Sequence, residues 1–160
     1  MEEISKKQAK ILFERGYRQQ MRGNFSEAIM LYRQSIDLTP TAEAHTFLGW
    51  TYSMLDRYDE AIEHCKQAIN IDPEYGNPYN DIGSYLITQG RSEEAITWLE
   101  KATHATRYDS PQFPYINMGR AFEHQGRYRS ALQAYDRALM INPLDRNALN
   151  MKYGLVGKMN

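Results

Sequence analysis

Residues 42–75 read AEAHTFLGWTYSMLDRYDEAIEHCKQAINIDPEY. Leu48-Gly49, Tyr52, Ala61, Ala68 and Pro73 mark two helical apolar patterns in this stretch. A polar break at Asp56-Arg57 separates the patterns, and Asp72-Pro73 closes the second. Each half alone is too short to be a stable helix in water, and its apolar stripe would stay wet. The segment therefore needs neighbours of its own kind.

The rest of the chain supplies them. Gly16, Gly49, Gly83 and Gly119 lie 33, 34 and 36 residues apart. Ala28, Ala61, Ala95 and Ala131 keep the same spacings, and so do Ser35, Ala68, Ala102 and Ala138. A column of larger residues runs through Tyr32, Cys65, Leu99 and Tyr135. Pro40, Pro73 and Pro143 close units one, two and four. Each column has a physical reason. Gly and Ala at facing places let two helix axes approach closely, and the large residues fill the space that remains. Proline lacks a donor and disfavours helix in the residue before it, so it ends an element at a fixed place.

On these columns the chain resembles the tetratricopeptide repeat (TPR) family, with its ~34-residue period and W-x₂-L-G-x₂-Y…A-x₃-F…P pattern. Unit two matches as Leu48-Gly49-x₂-Tyr52…Ala61-x₃-Cys65…Pro73, with His45 in the tryptophan column. The resemblance covers roughly residues 9–143. It implies an all-α, right-handed α-solenoid of four helix-turn-helix units, near 9–41, 42–75, 76–111 and 112–144, in a single domain over 1–160. The patterns predict helix pairs near 5–22 and 25–38, 42–55 and 58–71, 76–89 and 92–105, and 112–125 and 128–141. A capping helix over 145–156 turns Ala148, Leu149, Met151 and Leu155 inward and leaves Asp145, Arg146, Asn147 and Lys152 wet. Asn24 and Glu27 read as a capping box for the second helix of unit one. Asp59, Glu60, Glu93 and Glu94 place acids in first turns, where the helix dipole favours them. Unit four departs from this, opening its second helix with Arg127 and Arg129, and the linker before it is two residues longer, with Arg107 where a proline belongs.

Composition narrows the function classes. At 160 residues with 42% hydrophobic content the chain can bury a core. No apolar run approaches the ~20 residues that span a bilayer. The start MEEISKKQAK is charged and has no signal-like apolar centre, which predicts a cytoplasmic chain. The single cysteine, Cys65, rules out an internal disulfide. Net charge is −1, but residues 1–102 hold 11 basic against 16 acidic side chains and residues 103–160 hold 8 against 4.

No catalytic constellation appears. His64 and Cys65 are adjacent, so on a helix they point about 100° apart and form no side-by-side nucleophile–base pair. His45, His64, His104 and His124 lack the i, i+4 spacing of a helical metal pair, and the glycines fall singly instead of forming a phosphate loop. The chain reads as a non-enzyme with no metal and no cofactor.

The family resemblance implies a concave groove lined by the first helix of each unit. Carried onto this chain, its candidate contacts are Phe13, Tyr17 and Met21; Thr46, Trp50 and Met54; Asn77, Asn80 and Ser84; and Phe113, Arg120 and His124. Aromatic and methionine side chains give large, adaptable contact area. The amides suit a peptide backbone, and Arg120 suits a carboxylate. The competing reading is that Phe13, Tyr17 and Trp50 only pack against neighbouring helices. The carboxylate clamp that holds chaperone C-termini is not expected. Its places fall on Phe13, Tyr17, Phe47, Asn77 and Asp81 in one frame, or on Thr46, Trp50, Asp81, Phe113 and Asn117 in the next, and neither keeps a clamp cation. The predicted role is a scaffold or adaptor that binds a peptide or extended protein segment. A self-assembling homo-oligomer is the alternative. RNA binding through Arg120, Arg127, Arg129, Arg137 and Arg146 with Tyr128 and Tyr135 ranks below both, because these residues fall on different helix faces.

Overall fold

The computed structural model describes residues 1–160 as nine α-helices with no strand, the all-α class that the repeat columns predict. In chain order they are α1 (Glu2–Met21), α2 (Phe25–Leu38), α3 (Ala42–Ser53), α4 (Tyr58–Ile71), α5 (Asn77–Thr88), α6 (Ser92–Thr103), α7 (Phe113–His124), α8 (Tyr128–Ile141) and α9 (Arg146–Met159). The chain divides into two compact units, Met1–Pro78 and Tyr79–Asn160. In the first, α1 packs on α2, α2 on α3 and α3 on α4, with α1 also touching α3. In the second, α6 packs on α7, α7 on α8 and α8 on α9, and α7 reaches α9.

The glycine column is where each first helix meets its second. A Cβ on Gly16 would stand 2.9 Å from Tyr32 Cδ1, and one on Gly49 would stand 2.8 Å from the Ala61 carbonyl oxygen. A Cβ on Gly83 would collide with Leu99, and one on Gly119 with Tyr135. The facing columns are sealed to match: Ala28, Ala61, Ala95, Ala131, Tyr32, Cys65, Leu99 and Tyr135 are all fully buried. Cys65 is thus a core residue.

The turn inside each pair holds a column that the sequence reading passed over. Gly23, Gly90 and Gly126 adopt positive φ, and Asp56 does the same at 58°. The next residue then bonds back five positions, as Asn24 N–H to Gln19 O, Arg57 to Tyr52, Arg91 to Leu86 and Arg127 to Phe122. These bonds satisfy carbonyls left open at the end of the first helix. They also correct the capping-box expectation. Asn24 makes no side-chain cap and instead donates Nδ2–H to Gln19 Oε1 at 2.8 Å. In units two and three the acid of that column pairs with arginine, Glu60 with Arg57 and Glu94 with Arg91.

Some boundaries shift. Helix α1 begins at Glu2, where Glu2 and Glu3 pair with Lys6 and Lys7 one turn on. Helix α9 runs on to Met159, three residues past the expected end. On its inward side Ala148 and Leu155 are buried and Met151 packs against the cluster they share with Ile116 and Tyr135, while Leu149 is half-buried. Asp145 caps it by accepting from the Ala148 N–H at 3.0 Å. Lys152, at the surface, pairs with Asp136 at 2.7 Å.

Two substitutions test this account. Gly49→Ala improves helix propensity but pushes a methyl into the Ala61 carbonyl, so urea unfolding should show a net loss of about 1–2 kcal/mol. Asp56→Gly relieves a left-handed non-glycine residue and should raise stability by about 0.5–1 kcal/mol in the same assay.

Candidate functional site

Within Met1–Pro78, α1 carries Tyr17 and Met21, and α3 carries Trp50 with Met54 as the residue that follows its last turn. The pairs are Tyr17–Met21 and Trp50–Met54, and that spacing places each pair on one helix face. Beneath them lies a ring cluster centred on Phe47. Phe47 meets Phe13 edge-on at 5.3 Å between centroids, Tyr17 at 5.7 Å and Trp50 at 5.9 Å. Phe13 also meets Tyr32 at 5.6 Å. Edge-on aromatic pairs of this kind hold one another's orientation beyond what burial alone does. The sequence offers Phe47 only as a clamp position, yet it organises the cluster. Its place on the face of Trp50 three residues on was the available signal.

The cluster is covered below and open above. Tyr17, Met21 and Met54 are 42%, 49% and 47% exposed, while Phe13, Phe47 and Trp50 are half-buried. Buried Gln20 ties the two helices: it accepts from the Tyr32 hydroxyl at 2.7 Å and lies 3.9 Å from Met54 Sδ. Thr46 drops out of the candidate surface. It is 3% exposed, and its hydroxyl donates to the Ala42 carbonyl at 2.7 Å, so it fills space between helices.

The candidates in the second half form a different kind of surface. Asn80 is nearly buried and accepts from Asn117 Nδ2–H at 2.9 Å. Asn117 in turn accepts from Arg120 at 2.8 Å. This amide ladder occupies groups assigned to a peptide backbone. Ser84 and Arg120 are half-buried, and Phe113 and His124 are exposed. Asn77, at the start of α5, is half-buried. Asp81, also on α5, has its carboxyl pushed up to about 7 by desolvation. Two exposed arginines of this half lie over rings, Arg127 over Phe122 and Arg137 over Tyr115. Tyr135 is fully buried with its hydroxyl on Glu123 at 2.6 Å, so it offers no face to a base.

On the far side of α3 sits a histidine pair that its spacing in sequence, 19 residues, concealed. His45 Nδ1 lies 3.1 Å from His64 Nδ1, and the rings stack at 5.4 Å. His64 also stacks on Tyr52, whose hydroxyl accepts from Arg33. Burial first, and then the neighbouring ring, lowers the His45 pKa to about 4. Burial, then the Arg33 charge, lowers that of His64.

The repeat pattern gives an outside measure of the chain. The tetratricopeptide repeat description matches residues 42–75 and 114–144, and a second description of the same repeat matches 77–107. The small glutamine-rich tetratricopeptide repeat-containing protein 2 of Mycosarcoma maydis is 32% identical over 79 residues, 49% of this chain and 22% of that protein. The chain spans half or less of the length of such curated relatives. Among solved structures, pilF of Pseudomonas aeruginosa superposes with a TM-score of 0.89 at 22% identity, over 97% of this chain and 70% of that one. YrrB, a TPR protein with an unusual peptide-binding site, gives 0.73 at 18% identity over 91% and 74%. At these identities the structural likeness speaks for the fold. No helix of the chain is long and apolar enough to cross a membrane.

The histidine pair makes stability depend on pH. Unfolded histidine titrates near 6.5 and folded His45 near 4, so between these values the unfolded chain binds more protons. Stability is therefore unpenalised above pH 6.5 and falls as pH drops through that window, by on the order of 2 kcal/mol at pH 5. Urea titrations at pH 7 and pH 5 should show this loss, and His45→Phe should reduce it, leaving the part that His64 contributes.

Proposed function

The chain belongs to the tetratricopeptide repeat family, whose members mediate protein–protein interactions, and we propose that it is a non-catalytic module that captures an extended segment of a partner protein. The face made by Tyr17, Met21, Trp50 and Met54 over Phe13 and Phe47 is its main contact. One observation carries this reading: two parallel aromatic–methionine pairs stay open to solvent although their ring cluster is otherwise packed. Residues of this kind dominate binding energy at interfaces because each covers a large area with few rotamers to freeze. Methionine adds a surface that adapts to different apolar side chains. The ligand that suits this face is an extended segment with apolar or aromatic residues at alternate positions. In the second half, Ser84, Phe113, Arg120 and His124 give a polar surface suited to hydroxyl or carboxylate groups, with Asn80 held as a positioning residue by Asn117. Asn77 adds an amide at the start of α5. The family's protein-binding habit and the peptide-binding site of YrrB favour this reading over catalysis. Soluble protein of the cytoplasm is the setting we infer for it.

Peptides selected from a random display library against the whole chain provide ligands for a direct test. Trp50→Ala and Tyr17→Ala should each weaken the selected peptides by about tenfold or more, a typical cost for an interface anchor. Unchanged affinity in both variants, with circular dichroism intact, would remove this face from the account.

A further inference from the structure

Helix α5 carries a polar stripe whose side chains bond with nothing else in the chain. Asn77, Asp81 and Ser84 stand at i, i+4 and i+7, so they share one helix face. All three are half-buried, and their side chains enter no hydrogen bond or ion pair. Ser84 gives only its backbone carbonyl, to the Thr88 hydroxyl at 3.2 Å. Asp81 is the exception among the acids of its half. Four carboxylates of Tyr79–Asn160 are half-buried: Asp81, Glu123, Asp136 and Asp145. Glu123 accepts from the Tyr135 hydroxyl at 2.6 Å, Asp136 pairs with Lys152 at 2.7 Å, and Asp145 caps α9 at 3.0 Å. Asp81 has no such partner. Nor does it serve the start of its helix, because it lies past the first turn, where open N–H groups favour an acid. The half-buried cations of the same half are engaged elsewhere, Arg120 with Asn117 and Lys152 with Asp136. Surrounding protein withholds enough water to push the Asp81 carboxyl up to about 7, yet the residue is not sealed. An ionised group held this way burdens the fold unless something from outside the chain pairs with it.

We propose that the Asn77–Asp81–Ser84 stripe of α5 receives an arginine side chain of a captured partner segment, with the guanidinium forked on the Asp81 carboxylate. The inference rests on the reading of the chain as a module that captures such a segment, and it adds the chemistry of one ligand side chain. It draws nothing from the ring face of α1 and α3. The sign of the ligand follows from the stripe, whose only charge is negative. Arginine rather than lysine follows from the desolvation. A guanidinium is more weakly hydrated than an ammonium, so it gives up less on entering, and its fork reaches both carboxylate oxygens at once. Its remaining N–H groups meet the Ser84 hydroxyl or the Asn77 amide oxygen, one turn to either side, both of which are acceptors.

Short random peptides displayed on phage, selected at pH 8 against the whole chain and counter-selected against Asp81→Asn, supply the probes. Asparagine keeps the shape and removes the unpaired charge, so the variant should fold and raise Tm by at least about 2 °C. Arginine should recur at one position of the peptides that prefer the wild-type chain. Citrulline in its place, which keeps the shape without the charge, should weaken binding to the wild-type chain about tenfold or more. The same replacement should change binding to Asp81→Asn by less than about threefold. Lysine there should bind the wild-type chain at least about threefold more weakly than arginine. No enrichment of arginine, equal binding of arginine peptides by both chains, lysine serving as well as arginine, or a lower Tm in Asp81→Asn would overturn the proposal. Trp50→Ala separates it from the ring-face reading. Arginine peptides that need Asp81 and not Trp50 uphold this subsite alone. Peptides that need Trp50 and are indifferent to Asp81→Asn uphold the ring face and overturn this subsite, and a selection that yields no peptide overturns both.

Discussion

An absent side chain at one place per repeat governs this structure. Gly16, Gly49, Gly83 and Gly119 let a second helix come so close that its carbonyl or its largest residue occupies the position of a Cβ. The rest follows from that proximity. Alanine must face the glycine, because any larger group would hold the axes apart. Something large must fill the flanks, and Tyr32, Leu99 and Tyr135 do so without exposing any surface. The turn between the helices must then be tight, which a positive-φ residue and a backbone bond back five positions provide. Close packing of this sort tolerates little adjustment, so the columns keep their composition while the exposed faces drift.

That drift explains what could and could not be read from the amino acids. Columns with a steric cause, such as Gly49, Ala61 and Ala68, announced the helices and their pairing, because only small residues fit there. The left-handed turn column was harder to see, since Asp56 breaks the run of Gly23, Gly90 and Gly126 and masks a shared backbone geometry. The candidate surface was legible only in part. The helical spacing pairs Tyr17 with Met21 and Trp50 with Met54, but it does not mark Phe47 as the ring that meets Tyr17 and Trp50, nor Gln20 as buried against Tyr32. Thr46 is buried with its hydroxyl turned back to the carbonyl of its own preceding turn, and no sequence pattern marks that choice. Asn80 and Asn117 lie 37 residues apart, and only the fold introduces them.

The two halves carry different chemistry on a common frame. The first concentrates rings and sulfur, whose burial from water survives salt. The second arranges amides, a guanidinium and a desolvated carboxyl at Asp81, which act through direction and charge. A ligand that met the first kind of surface would be sorted by size and apolarity. One that met the second would be sorted by where its donors and acceptors fall. Copies of one repeat can thus carry different surface chemistry without any change of fold.

The contact between His45 and His64 has a consequence of symmetry. Two Nδ1 atoms 3.1 Å apart form a hydrogen bond only when one bears the proton and the other presents its lone pair. The neutral rings are therefore of opposite tautomer, one protonated at Nδ1 and the other at Nε2. Two chemically identical side chains are made inequivalent by their meeting, and the direction of that bond is a one-bit choice. Reversing it moves a proton from Nδ1 to Nε2 on one ring and from Nε2 to Nδ1 on the other, and leaves the charge of the pair unchanged.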